Sequence, residues 1–229
     1  MAVKIDYLVQ DSEALLQVVN ANRDAMNAKG FTEASYNSFV EAKENLRVKE
    51  LAQQKSIRFV SDMTAEQNAV INHVTDLIKM IRNAARSAYG NDERNLKLFK
   101  VGEAVPISVK KLRPMCEYTI SLVLEKSEML LQNGVTQNDI DDLNTSYGKL
   151  IAVDANQENA KKLQKAATQA RNEAADKLKD KMFRIRNFAK VCFANNKEVL
   201  LQFKPIVHGT GGKNSVSTEE VPAEQLQEQ

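Results

Sequence analysis

The chain carries one pattern twice. Residues 10–100 fall on residues 114–204 at a constant offset of 104 positions, without a gap. The coincidences sit where local structure is decided. Gly30 aligns with Gly134, Thr32 with Thr136, Leu46 with Leu150, Thr64 with Thr168 and Asn68 with Asn172. Ile81-Arg82-Asn83 returns as Ile185-Arg186-Asn187, Ala85 as Ala189, Leu96 as Leu200 and Phe99-Lys100 as Phe203-Lys204. About 17 of the 91 aligned positions are identical, and others are conservative, as with Met26 and Leu130, Phe39 and Leu143, or Tyr89 and Phe193. A gapless match of this length implies that every loop kept its length, so one helical unit is expected to have been duplicated.

Glycine and proline divide each unit. Apart from Gly148, they fall between stretches of helical periodicity: glycines at 30, 90, 102, 134, 209, 211 and 212, prolines at 106, 114, 205 and 222. A first helix is expected from Lys4 to Ala28, with Leu8, Leu15, Val19 and Met26 on one stripe and Gly30 as its left-handed stop; its copy runs from Met115 to Gln132. Thr32 caps a second helix whose Tyr36, Phe39, Leu46, Ile57 and Val60 face the core. Thr64-Ala65-Glu66-Gln67 has the form of a capping box, which predicts a break and a third helix from Thr64 to about Gly90. That signal decays to Thr168-Gln169-Ala170-Arg171 in the second unit, where one rod from Thr136 to Ala194 is the alternative. Short helices over Asp92–Phe99 and Asn196–Phe203 follow, each folding back as a hydrophobic latch that buries Phe99 or Phe203. No alternating β-branched run competes.

The expected fold is therefore all-α. It is an elongated helical bundle of two tandem copies of a unit of three long helices plus a short capping helix. Residues 1–101 form the first unit, 102–114 an extended connector around Pro106 and Pro114, and 115–205 the second unit. Residues 206–229, rich in Gly, Ser and Glu, form a polar flexible tail with too little apolar surface to fold alone.

With 32 basic and 30 acidic residues, the charge balance by itself points to neither nucleic acid nor a membrane surface. No apolar run approaches the roughly 18 residues of a membrane span. The N-terminal sequence has no apolar region followed by a small-residue cleavage site, so a cytoplasmic location is expected. Cys116 and Cys192 align with Ser12 and Ala88; neither belongs to the shared pattern, and both are expected to be free thiols of a reducing compartment.

Catalytic chemistry finds few candidates. The two histidines, His73 and His208, are isolated, and no H-x-x-x-H, E-x-x-H or C-x-x-C spacing occurs, so no metal site or cofactor is expected. Gly209-Thr210-Gly211-Gly212 lacks the Lys-Ser/Thr of a phosphate loop and reads as a linker. Asp139, Asp141 and Asp142 fall in the first turn of a helix, where negative charge suits the dipole. More suggestive is a basic element near the end of each third helix: Lys79, Arg82 and Arg86 in one unit, Arg184, Arg186 and Lys190 in the other. Two such patches are candidate contacts for a polyanion or an acidic partner, although cations near a helix C-terminus are also favoured simply as a solvated face.

The sequence thus points to a non-enzymatic structural or protein-interaction protein, a subunit of a larger assembly, with a protein partner or self-association. Two alternatives stand: a polyanion- or nucleic-acid-binding module using the basic faces, and the soluble form of a helical pore-forming protein.

Overall fold

A computed structural model describes residues 5–206 and contains eight helices and, among these residues, no strand. They are α1 (Ile5–Ala21), α2 (Arg23–Asn27), α3 (Glu33–Tyr89), α4 (Glu93–Leu98), α5 (Val109–Glu125), α6 (Ser127–Gln132), α7 (Gln137–Cys192) and α8 (Lys197–Gln202). The boundaries of α1 and α5, and of α4 and α8, differ by the same 104 residues as the sequence pattern. The tail from residue 207 onward, including His208 and the glycine cluster, lies outside the described residues.

Matching turns explain the matching boundaries. Gly30 and Gly134 take φ of +95° and +92°, a region that costs residues with a Cβ. The reversal lets Phe31 N–H donate to the Met26 carbonyl at 3.0 Å and Val135 N–H to that of Leu130 at 3.2 Å. Each bond brackets a buried apolar pair, Met26 with Phe31 and Leu130 with Val135, as a Schellman closure requires. Thr32 then accepts from Ser35 N–H at 3.2 Å to open α3. Thr136 and Asp139 form a reciprocal box: Thr136 N–H donates to the Asp139 carboxylate at 2.8 Å, and Asp139 N–H to the Thr136 hydroxyl at 3.3 Å. The Thr136 hydroxyl also donates to that carboxylate at 2.6 Å, and this bond first, with the Thr136 N–H second, holds the Asp139 carboxyl below its ordinary pKa.

The expected break at Thr64 is absent, and this corrects the unit of three long helices. The second and third helices are one: α3 runs 57 residues and α7 runs 56. Thr64 does not cap; its hydroxyl donates to the Val60 carbonyl at 2.8 Å, the back-bonding that lets threonine sit inside a helix. Thr168 does the same to Gln164 at 2.9 Å. Gln67, expected to close a capping box, instead donates to Asp154 of α7 at 2.9 Å. A capping box requires a chain that has already left the helix, and nothing from residue 33 to 89 forces that: the stretch holds neither glycine nor proline.

Two smaller expectations also fail. The first helix is interrupted at Asn22, whose side chain donates to the Val18 carbonyl at 2.9 Å, so α1 and α2 are separate pieces. The connector is shorter than expected: α5 begins at Val109, and Pro114 lies inside it. Proline there leaves the Lys110 carbonyl without its helical donor, a local cost that the burial of Val109 and Leu112 on the same helix offsets.

The buried positions of α3 recur at intervals of seven: Phe39, Leu46, Gln53, then Gln67, Val74 and Ile81. On α7, Leu143, Leu150, Gln157, Leu178 and Ile185 keep the same interval. A seven-residue repeat is a coiled-coil seam. Ile57 lies off that seam and is 46% exposed, correcting its expected place in the core. Between Glu44 and Lys177 the two helices pair antiparallel, since partners on α7 advance as those on α3 recede. Gln67 meets Asp154, Gln157 donates to Thr64 at 3.2 Å, and Glu50 lies 3.7 Å from Arg171. The first and last of these are one contact seen twice: the offset places Gln67 on Arg171 and Glu50 on Asp154.

The chain divides into two compact units, residues 44–177 and the segments on either side of them, so the units do not coincide with the repeats expected at 1–101 and 115–205. In the unit of 44–177, α5 packs with the later part of α3, and Leu112, Cys116 and Val123 join Val74, Ile78, Ile81 and Phe99 in one core. In the other unit, Leu8, Leu15, Val19 and Met26 are buried, as are Leu178, Met182, Ile185 and Phe203. The helices α5 and α1 thus pack with the late turns of α3 and of α7, respectively. The latches close as expected: Phe99 is buried with its ring 6.1 Å from that of Tyr89, and Phe203 is buried 5.8 Å from Phe193. Asp92 and Asn196 cap the latch helices, accepting from Arg94 and Asn95 N–H and from Val199 N–H respectively.

Truncating Phe99 or Phe203 to alanine is expected to cost about 3 to 5 kcal/mol in denaturant unfolding, through lost burial and a residual cavity. Gly148 gives the opposite test. It lies within α7, and a Cβ there would meet nothing within 4 Å. Gly148→Ala should therefore raise stability by about 0.5 to 1 kcal/mol, read from the denaturation midpoint.

Candidate functional site

The basic faces separate into structural and exposed members. Arg82 is buried; its guanidinium donates to the Glu103 carbonyl at 2.7 Å and approaches the Met115 sulfur at 3.6 Å. Burial pulls its pKa below the ordinary guanidinium value, with the Glu103 charge opposing. Arg186 donates through Nε to the Phe203 carbonyl and through Nη2 to Asp11, both at 2.8 Å. Asp11 also accepts from Ile206 N–H at 3.0 Å. The offset that carries Arg82 to Arg186 carries Asp11 to Met115, so both arginines staple the first helix of the opposite repeat to a latch or its following loop. Their guanidinium groups are thus engaged in contacts within the fold. A half-buried aspartate or methionine opposite an arginine leaves no trace in the periodicity of either helix.

The other four candidates are exposed but do not converge. Lys79 is paired with Asp76 at 3.1 Å, Arg184 with Asp180 at 2.9 Å, and Lys190 donates to Asn187 at 3.1 Å. Arg86 is exposed near the end of α3.

Arg184 does take part in a feature that sequence reasoning missed. In the unit made of the chain's two ends, an open cleft of about 360 Å³ is lined by Phe31, Ser35 and Ser38 from one side and by Lys181, Arg184 and Phe188 from the other. Phe31 and Phe188 meet with ring centroids 5.6 Å apart. No carboxylate lines the cleft. The matching positions in the unit of 44–177 carry different chemistry. Lys181 and Arg184 become Leu77 and Met80, Phe31 and Phe188 become Val135 and Ala84, and Ser35 and Ser38 become Asp139 and Asp142. There Leu77, Ala84 and Val135 are packed in the core with Met80 against it. One scaffold position is thus filled in one unit and is a cationic, aromatic cleft in the other.

Comparison with protein-family models, curated proteins and solved structures finds no match to this chain. Residue chemistry must carry the assignment.

The remaining reactive groups are dispersed. His73 meets Asp142 at 2.7 Å, linking α3 to α7, and is half exposed. The three aspartates separate: Asp139 caps α7, Asp141 accepts from Gln137 at 2.9 Å and Asp142 takes His73. Among the described residues no group of three or more His, Cys, Asp or Glu side chains is arranged to hold a metal ion. No described helix is long and apolar enough to cross a membrane. The two cysteines are free; Cys116 is buried and Cys192 partly so.

One further surface stands out. Val48, Leu51 and Phe59 lie within about 80° of arc on α3 and are 56%, 51% and 43% exposed. The offset places Phe59 on Leu163 of α7, which is 51% exposed.

Removing Arg186 strands a carboxylate, whereas removing Arg82 strands only a carbonyl. Arg186→Met should cost about 2 to 4 kcal/mol, because Asp11 keeps one donor in a poorly solvated place, and Arg82→Met about 1 to 2 kcal/mol, both read by denaturant unfolding. Thiol chemistry supplies a pH test. Burial, assisted by the Glu117 charge, pushes the Cys116 thiol up to about 11. Iodoacetamide at pH 8 should alkylate Cys192 and leave Cys116 intact until the chain unfolds. Because the folded pKa lies above the unfolded one, the stability linked to Cys116 is complete below about pH 9 and is lost as pH rises towards 11.

Proposed function

We propose that the chain is a non-enzymatic structural and protein-interaction protein that works as a subunit of an assembly, joined through the middle of its long helices. The apolar stripe Val48, Leu51 and Phe59 carries this reading. Three large apolar side chains on one helical face, each more than two-fifths exposed, are what a docking face presents and what a merely solvated face avoids. Their surroundings add support. The seam beneath holds Gln53, Gln67 and Gln157, polar residues that fix the register of a helix pair at some cost in stability. A pair with so polar a seam gains from a second apolar contact outside it. Self-association is the favoured form, since a second copy brings an identical stripe. Lys55 and Asp62, flanking Phe59 on that face, allow charge complementarity in an antiparallel pairing.

Neither alternative is supported by a specific observation. Of the six basic candidates, Arg82 and Arg186 are committed to the fold. The pore-forming reading lacks an apolar helix among the described residues.

Sedimentation velocity across a concentration series tests the proposal. The wild-type chain should show a concentration-dependent higher species that Val48→Glu/Phe59→Glu abolishes while far-UV circular dichroism is unchanged. A wild-type chain that stays monomeric at the highest attainable concentration would overturn self-association. An oligomer untouched by the double substitution would place the contact elsewhere.

A further inference from the structure

We propose that the cleft between the start of α3 and the end of α7 binds a small organic anion with a flat apolar body, an aryl or acyl carboxylate. The two units supply the argument as an internal control. They share helix boundaries and matching turns, so the packing demands at the equivalent positions are closely similar. Where Leu77, Met80, Ala84 and Val135 meet those demands, the space is filled by core. At the same positions Lys181 and Arg184 stand at an open cleft of about 360 Å³ where the other unit has packed core. That volume is at the lower end of the roughly 300 to 1,000 Å³ typical of small-molecule sites, which limits the occupant to a compact molecule.

The lining specifies its chemistry. Phe31 and Phe188 offer an aromatic surface for a flat or acyl body. Lys181 has no hydrogen-bond or ion-pair partner among the described residues, and it stands beside Arg184, whose guanidinium is held by Asp180 at 2.9 Å. The Asp180 contact orients Arg184 and leaves further N–H donors of its planar fork available. Ser35 and Ser38 add hydroxyls, where the other unit has the carboxylates of Asp139 and Asp142. The α3 N-terminus is not the anion holder: Thr32 already accepts the Ser35 N–H. The site is two cations, the Ser38 hydroxyl and the Ser35 hydroxyl shared with Thr32 around an aromatic surface; no acid lines it, and the nearby Asp180 is paired with Arg184.

Isothermal titration of the full chain with 1-naphthoate tests this. One saturable site per chain is expected, with 1-naphthylmethanol, its neutral counterpart, binding at least tenfold more weakly. Lys181→Met/Arg184→Met should weaken naphthoate binding at least tenfold, and Ala34→Trp, which fills the cleft without altering its charge, should do the same. Phe59→Glu should leave binding unchanged, separating the cleft from the apolar stripe. Far-UV circular dichroism checks that each variant is folded; if the double variant is not, Lys181→Gln and Ala34→Trp decide the matter. The proposal is overturned by any of four outcomes: no saturable binding, equal binding of the neutral alcohol, binding unaffected by the cleft variants, or binding of polyglutamate in place of naphthoate, which would mark an extended acidic partner.

Discussion

The structure depends on two helices that nothing interrupts. From Glu33 to Tyr89 no glycine or proline occurs, and from Gln137 to Cys192 only Gly148, which fits within the helix. An unbroken helix cannot double back on itself, and α1 and α5, unlike the latches that fold back beside Tyr89 and Phe193, pack with the late turns of the long helix that does not follow them. This is the exchange between repeats. The first helix of each repeat is completed by the late turns and latch of the other, and an arginine holds each junction: Arg82 beside Met115, Arg186 on Asp11.

Length brings a second consequence. Where α3 and α7 pair near their middles, burial is concentrated on a narrow seven-residue seam, and glutamines at Gln53, Gln67 and Gln157 occupy part of it. Their bonds to Asp154 and Thr64 satisfy buried polar groups and fix one register, at the expense of apolar burial. Helix faces away from the seam remain open, and on α3 one of them carries Val48, Leu51 and Phe59. The stretch that spends polar contacts on register also exposes apolar side chains. A subunit that gains its remaining burial from a partner would have this arrangement.

The two arginine junctions and the two positions around the cleft show how equivalent places diverge. At the junctions the arginine is kept and its partner changes, from methionine to aspartate, so the staple survives as a weak sulfur contact in one unit and an ion pair in the other. At the cleft the fold is kept and the chemistry inverts, from apolar side chains beside two aspartates to cations beside two serines. The second kind of change leaves an open cleft where the other unit has packed core.

Sequence alone determined what short-range chemistry decides. Gly30 and Gly134 had to end helices because their carbonyl-closing turns need positive φ, Thr32 and Thr136 had to open them because orphan N–H groups need an acceptor, and Leu8, Leu15, Val19 and Met26 had to share one buried stripe. The latches, with Phe99 and Phe203 buried, were equally legible from their recurrence. Only tertiary structure decided the rest. Whether Thr64 caps or back-bonds depends on whether the helix stays intact around it, and here Gln67 is turned towards Asp154 and the helix runs on. Whether Arg82 and Arg186 face solvent depends on what stands opposite them, in these cases residues 33 and 175 positions away in the chain. The cleft is made by Phe31 and Phe188 meeting across more than 150 residues. Capping and turning are settled within a few residues of the chain, whereas burial and charge pairing belong to whatever the fold brings alongside.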